Sequence, residues 1–188
     1  MIKIGITGSL ASGKTTASRI LSFGAGPLFS ADKVVKKIYL DRSFKNLIAK
    51  RFNLLKNKKI KNQIRSKILE NKKTIKKLEK IIHPLVRLEM KNFLKKHKNK
   101  RVIFFEIPLL IESKLMNKFD VIIFIKANKS IRFKRFKSKG GNKKLFKILD
   151  KQQLNDKIKM KYCDHVVVNE KKINILKKKL SDIIKNYV

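Results

Sequence analysis

Ile2-Lys3-Ile4-Gly5-Ile6-Thr7-Gly8-Ser9-Leu10-Ala11-Ser12-Gly13-Lys14-Thr15 holds three signals in direct succession. Ile2 to Thr7 alternates apolar and polar residues and reads as a strand. Gly8 to Thr15 fits G-x-x-x-x-G-K-[ST], a glycine-rich loop whose amides can curl around phosphate oxygens. Thr15 to Leu21 then spaces Ala17, Ile20 and Leu21 on one side of a helix. The N-terminus of that helix presents its positive end to the same anion. Lys14 adds a mobile charge for the β- and γ-phosphates, and the Thr15 hydroxyl is a ligand for Mg²⁺. Strand, loop and helix together give the motif the context it needs.

Outward from this point, the chain predicts an alternation of strands and helices. Pro27 to Ala31 reads as a second strand, entered by the turn Gly24-Ala25-Gly26. Asp32 follows and opens a helix carrying Val34, Val35 and Ile38. From Ser43 to Lys96, Phe44, Leu47, Ile48, Ile75, Leu78, Ile81, Ile82, Leu85 and Leu88 keep helical spacing. Pro84 predicts a break or kink near Ile82 and His83. Arg101 to Glu106 reads as a buried central strand ending in an acid, Val121 to Ile125 as another, and His165 to Val168 as a short last one. Ile173, Leu176, Leu180, Ile183 and Ile184 mark a closing amphipathic helix.

Short apolar strands separated by helices imply an α/β fold with a parallel sheet between helical layers. Residues 39–98 are too many for a simple crossover and read as a helical insert within a single domain, 1–188. Residues 130–160, dense in Lys and Arg and interrupted by Gly140-Gly141, suit a mobile lid over phosphates.

The chain has 188 residues, 50 Lys and Arg against 13 Asp and Glu, and a formal net charge of +37. Only 8 of the basic residues are arginines. Nucleic-acid readers concentrate charge and use Arg where planar contacts matter. Here lysine is spread from end to end. That favours a compositional bias on solvated faces over a nucleic-acid partner. One cysteine, Cys163, rules out an intrachain disulfide and fits a reducing, cytoplasmic setting. No signal peptide precedes the first strand, and no apolar run is long enough for a membrane span.

Asp32 stands at the carboxyl end of a strand, where ligands collect in open α/β sheets. It can take a proton from an acceptor hydroxyl during phosphoryl transfer, or cap the helix that starts at Lys33. Glu106 can hold a magnesium-bound water or a salt bridge. Arg135 and Lys139, four apart on the expected lid helix, can meet the transferring phosphoryl group or form a solvated basic face. No guanine-reading Asn/Thr-Lys-x-Asp is present, and Lys126-Ala127-Asn128-Lys129 does not supply one. A small-molecule kinase suits the length better than a GTPase or a motor. A nucleoside or nucleotide kinase and a lysine-rich, nucleic-acid-stimulated ATPase are the alternatives.

The whole arrangement resembles the dephospho-CoA kinase family. Ile4 to Thr16 resembles its phosphate loop, and Ser30-Ala31-Asp32 its Asp-Ala-Asp. Leu78 to Arg87, with His83-Pro84, resembles the histidine-proline segment of its CoA-binding insert. Glu106-Ile107-Pro108-Leu109-Leu110-Ile111-Glu112 resembles its D-x-P-L-L-F-E run. Arg135, Lys139 and Gly140 resemble its lid, Gln152 or Gln153 its lid glutamine, and Cys163-Asp164 to Asn169 its A-D-x-x-I-x-N ending. Ser30, Glu106, Ile111 and Lys139 depart from the common Asp, Asp, Phe and Arg.

The resemblance implies a three-layer α/β/α P-loop kinase fold with a helical substrate-binding insert and a helical lid. It implies ATP and Mg²⁺, with the ribose 3′-hydroxyl of dephospho-CoA as acceptor. Gly8, Ser9, Leu10, Ala11, Ser12, Gly13, Lys14, Thr15, Thr16 and Asn169 would bind ATP, with Thr15 on the metal. His83, Arg87, Pro108, Leu109 and Glu112 would join Asp32 at the substrate. Asp32, Lys14, Arg135 and Lys139 would carry catalysis.

Overall fold

The computed structural model describes residues 1–55 and 59–187. Residues 56–58 of the expected insert, and Val188, lie outside the described residues. Two compact units emerge: Met1–Ala31 with Phe93–Val188, and Asp32–Asn92.

The first unit is built on a five-stranded sheet. Its strands are β1 (Ile2–Gly8), β2 (Leu28–Ser30), β3 (Val102–Glu106), β4 (Val121–Lys126) and β5 (His165–Val168). Their order is β2-β3-β1-β4-β5, and every pair is parallel. β3 is buried along its whole length, and β4 is buried from Val121 to Ile125. That explains their unbroken apolar runs: a parallel sheet is covered on both faces.

Alternation sorts the faces. Ile4, Ile6, Phe104, Ile123 and Ile125 form one core with Ala17 and Leu21 of α1 (Lys14–Ser22) and Leu176 and Leu180 of α9 (Ile173–Ile184). On the other face, Phe105 stacks with Phe29, Phe93 and Phe119 at ring separations of 5.7, 5.7 and 5.3 Å. β1 lies between β3 and β4, and the chain leaves it toward opposite edges of the sheet. The switch point therefore falls at the carboxyl end of β1, where such sheets open a crevice. The phosphate loop starts there.

Three further helices complete this unit: α6 (Lys129–Lys137), α7 (Lys143–Lys151) and α8 (Asp156–Met160). α6 stops two residues before Lys139. The Gly140 and Gly141 amides turn back to the Lys137 and Phe136 carbonyls at 2.9 and 3.1 Å. Gly140 takes a left-handed φ of 80°. This glycine termination satisfies the last helical carbonyls. Lys139 is thereby placed in the turn, where its spacing from Arg135 had placed it on the helix.

The second unit is helical, with α2 (Ala31–Ile38) leading into it, then α3 (Arg42–Arg51), α4 (Ile60–Glu70) and α5 (Lys73–Lys96), whose last residues return to the first unit. Asp41 caps α3 by accepting from the Phe44 amide at 2.6 Å. Phe44, Ile48, Ile64, Ile68, Ile75 and Ile82 are among the buried residues of this unit. α2 starts at Ala31, two residues before Lys33, so Asp32 sits inside the first turn and not at the cap. α5 runs through Pro84 as one helix of 24 residues. The missing amide at Pro84 costs one helical hydrogen bond. Burial of Ile75, Ile82 and Met90 on either side keeps the helix continuous.

Among the described residues, no helix is long and apolar enough to cross a membrane.

Candidate active site

The loop from Gly8 to Gly13 owes its shape to backbone conformations that few side chains allow. Gly13 has φ 98° and is the N-cap of α1, with no side chain capping the helix. A Cβ there would lie 2.1 Å from Asn169 Nδ2. The first amides of α1 thus open toward the loop as an anion site. Gly8 has φ 149°, and a Cβ on it would meet the Ile125 carbonyl oxygen at 2.3 Å. Ala11 is left-handed, with φ 59°. A non-glycine residue pays about 1–2 kcal/mol for that conformation.

Lys14 is buried and donates from Nζ to the carbonyls of Gly8 and Ser9 at 3.0 and 2.8 Å. The ammonium is held inside the loop it serves. Next to it, Thr15 Oγ1 donates to Glu106 Oε1 at 2.5 Å, and Ser30 Oγ donates to Glu106 Oε2 at 2.7 Å. Glu106 is 1% exposed. The ends of β1, β2 and β3 therefore converge on one buried carboxylate flanked by two hydroxyls. A hard, oxygen-seeking cation held by one or two protein groups and substrate phosphates fits this donor set. Among the described residues, no cluster of three or more His, Cys, Asp or Glu offers an all-protein metal cage.

On the other side of the loop, Arg135 donates from Nη1 to the Ser12 carbonyl at 3.1 Å and from Nη2 to the Asn169 carbonyl at 3.0 Å. Asn169 Nδ2 donates to the same Ser12 carbonyl at 2.8 Å. Arg135 and Asn169 line a cavity of about 320 Å³ with Ala11, Gly13, Thr16 and Lys139, and Ile173 and Leu176 give it an apolar wall. Basic groups beside an apolar wall suit a planar base joined to a polyphosphate.

The α7–α8 turn reaches the loop as well. The Leu10 amide donates to Gln153 Oε1 at 2.9 Å, and Ser9 Oγ donates to Asp156. Of the two candidate glutamines, Gln153 is the one that the structure brings to the loop. Glu112 is tied to this turn. It accepts from the Leu154 amide at 3.1 Å and pairs with the fully buried Lys159 at 2.6 Å. Its second oxygen is buried without a hydrogen-bond partner among the described residues. The Pro108 carbonyl accepts from Thr7 Oγ1 at 3.1 Å, which fixes the loop after β3 beside β1.

Asp32 opens the second unit two residues after Ser30, and His83 and Arg87 lie one turn apart on α5. Arg132 is a residue that sequence reasoning passed over. It is 6% exposed, and its guanidinium meets the loop, β4 and α7. The one available signal was its being an arginine in a chain that nearly always uses lysine.

Burial pushes the Cys163 thiol up to about 12, Asp164 adding to the rise and Lys159 opposing it. It is a structural thiol, hydrogen-bonded to the Lys159 carbonyl at 3.2 Å.

A parallel sheet with a phosphate loop at its switch point and an acid at the end of the neighbouring strand defines a P-loop kinase. The sequence profile of the dephospho-CoA kinase family matches residues 2–174, and the chain belongs to that family. A dephospho-CoA kinase from Bartonella quintana is 32% identical over 188 residues, covering 97% of this chain and 96% of that one. One from Fusobacterium nucleatum is 32% identical over 182 residues, covering 94% of each. The solved dephospho-CoA kinase of Campylobacter jejuni is 28% identical, covers 98% of this chain and 96% of its own, and superposes with a TM-score of 0.64.

Proposed function

We propose that this kinase transfers the γ-phosphoryl group of ATP to the ribose 3′-hydroxyl of dephospho-CoA, giving coenzyme A and ADP. The observation that carries the reading is the convergence of Lys14, Thr15 and Glu106 at the carboxyl end of β1, in a chain whose family is defined by this reaction. Gly8 to Thr16 cradle the phosphates, and the apolar wall beside Asn169 receives the adenine. Thr15 and Glu106 would hold Mg²⁺, and the ion would supply charge neutralisation to the phosphates.

In this reading Asp32 accepts the proton of the attacking hydroxyl. Its place two residues after Ser30, in the first turn of the helix that follows β2, supports that role. Arg135 and Lys139 neutralise the moving phosphoryl group. Arg135 must exchange a backbone carbonyl for phosphate oxygens to do so, a charge-assisted and stronger bond. By the family resemblance, His83 and Arg87 of the helical unit, and Pro108, Leu109 and Glu112 after β3, are each assigned to acceptor binding. The unpartnered Glu112 oxygen supports its place there. Lid closure keeps water from competing as acceptor. We place the reaction in the cytoplasm, in keeping with a single cysteine that forms no intrachain disulfide.

Purified protein with Mg·ATP and dephospho-CoA tests this directly. Coenzyme A appearing by mass in step with ADP supports it. ADP without coenzyme A refutes the acceptor, and nucleosides or nucleotides then take its place in the assay.

A further inference from the structure

The tip of the phosphate loop is strained, and strain of this kind persists only where the surroundings impose it. Ala11 is left-handed, yet the groups flanking it are held from outside the loop. The Leu10 amide is held by Gln153, and the Ser12 carbonyl by Arg135 and Asn169. The peptide that joins Leu10 to Ala11 has one further partner, the Leu10 carbonyl's contact with Arg132 Nη1 at 3.4 Å.

Arg132 is itself anchored. Its Nε donates to the Ala127 carbonyl at 3.2 Å, just past β4. Its Nη1 pairs with Asp150 Oδ1 of α7 at 2.5 Å. Its guanidinium carbon lies 5.8 Å from the centre of the Phe146 ring, also on α7. A guanidinium spreads its donors over several nitrogens in a fixed planar fork, whereas an ammonium gathers its three donors on one rotatable atom. Burying a guanidinium is costly unless it is paired and hydrogen-bonded, so its partners hold it to one position.

We infer that Arg132, with Asp150 as its counter-ion, is a positioning residue for the phosphoryl donor. It transmits the placement of α7 and β4 to the Leu10–Ala11 peptide and so holds the loop tip in its phosphate-receiving shape. Arg132 touches no reacting atom. It acts through the loop backbone and sets donor affinity without setting acceptor affinity. The inference rests on the reading of this loop as a nucleotide site, though not on the identity of the acceptor.

The test is direct titration of Mg·ATP, with steady-state kinetics beside it. Arg132→Met is expected to raise the Kd and KM for ATP ten-fold or more while the acceptor KM stays within two-fold. Arg132→Lys restores part of the loss, because it keeps the charge without the fork. Ala11→Gly removes the need for imposed strain, so it improves ATP binding more in the Arg132→Met background than in the wild type. Should Arg132→Met fail to fold, Asp150→Asn keeps the shape, removes the counter-ion and is expected to weaken ATP binding in the same direction. Unchanged ATP affinity in a folded Arg132→Met protein, or in Asp150→Asn, overturns the inference, as does an equal rise in both KM values. If the wild type itself binds no nucleotide, the loop reading falls along with it. ATP binding without coenzyme A formation leaves this inference intact and overturns only the acceptor.

Discussion

Replacing Glu106 by Gln separates the stability of the fold from the assembly of the donor site. The carboxylate accepts from Thr15 and Ser30 and is almost fully buried. Hydrogen bonds to a charged group are worth about 1.5–3 kcal/mol and neutral ones about 0.5–1.5, so the substitution forfeits about 2–3 kcal/mol across the two. Desolvating a carboxylate costs several kcal/mol, and that cost vanishes with the charge. The two nearly cancel, so the ligand-free protein should melt within about 3 °C of the wild type. The bound state differs. Ligand at a hundred times its Kd stabilises a protein by about 2.7 kcal/mol, worth roughly 5–10 °C at this size. In Glu106→Gln the part of that gain which depends on Mg²⁺ should disappear, and turnover should fall at least ten-fold. The assay is a thermal melt with ATP, with and without Mg²⁺, beside the coenzyme A assay. A full Mg²⁺-dependent gain with normal turnover in the variant would refute the role given to Glu106.

Lys14→Ala should lower turnover by about 10²–10³, the usual loss for a donor aimed at developing charge, and titration should show weaker ATP binding. Asp32→Asn should keep ATP affinity and lose about 10²–10⁴ in kcat, as expected for a missing general base; a near-normal kcat would remove Asp32 from that role. Cys163, with its thiol pushed up to about 12, should react slowly with iodoacetamide at neutral pH in the folded protein and readily once unfolded. Its sign in stability follows: the unfolded thiol ionises near its ordinary value of 9.0 while the folded one does not. Denaturant midpoints should therefore fall as pH rises from about 9 to about 12.

The loop at Gly8–Thr15 was legible because each of its requirements is local: glycines where φ is positive, a strand before, a helix after. The strands were legible for a related reason. Full burial on both faces writes an apolar run directly into Val102–Phe105 and Val121–Ile125. What escaped was decided at a distance. Lys139 has the spacing of a helical neighbour of Arg135, but Gly140 and Gly141 end the helix first. Pro84 carries a break signal that burial along α5 overrides. Arg132 shows nothing in its own surroundings because Asp150 and Leu10 reach it from another helix and another loop. The pairing of Thr15 with Glu106 spans 91 residues, nearly half the chain, and no periodicity announces it.

The sheet register has a consequence for how the polypeptide is made. β1 is synthesised first, yet its partners are late: Ile2 aligns with Val102 and Ile4 with Val121. Translation proceeds at about 5–20 residues per second, so the N-terminal strand waits on the order of ten seconds beside the ribosome with neither neighbour present. The helices of the Asp32–Asn92 unit depend on nearby residues and can form in that interval. A nascent chain thus carries an apolar, unpaired Ile2–Gly8 segment until β3 emerges, and one with an open edge until β4 follows. Any pause or truncation before Val121 leaves that segment exposed for other strands to capture.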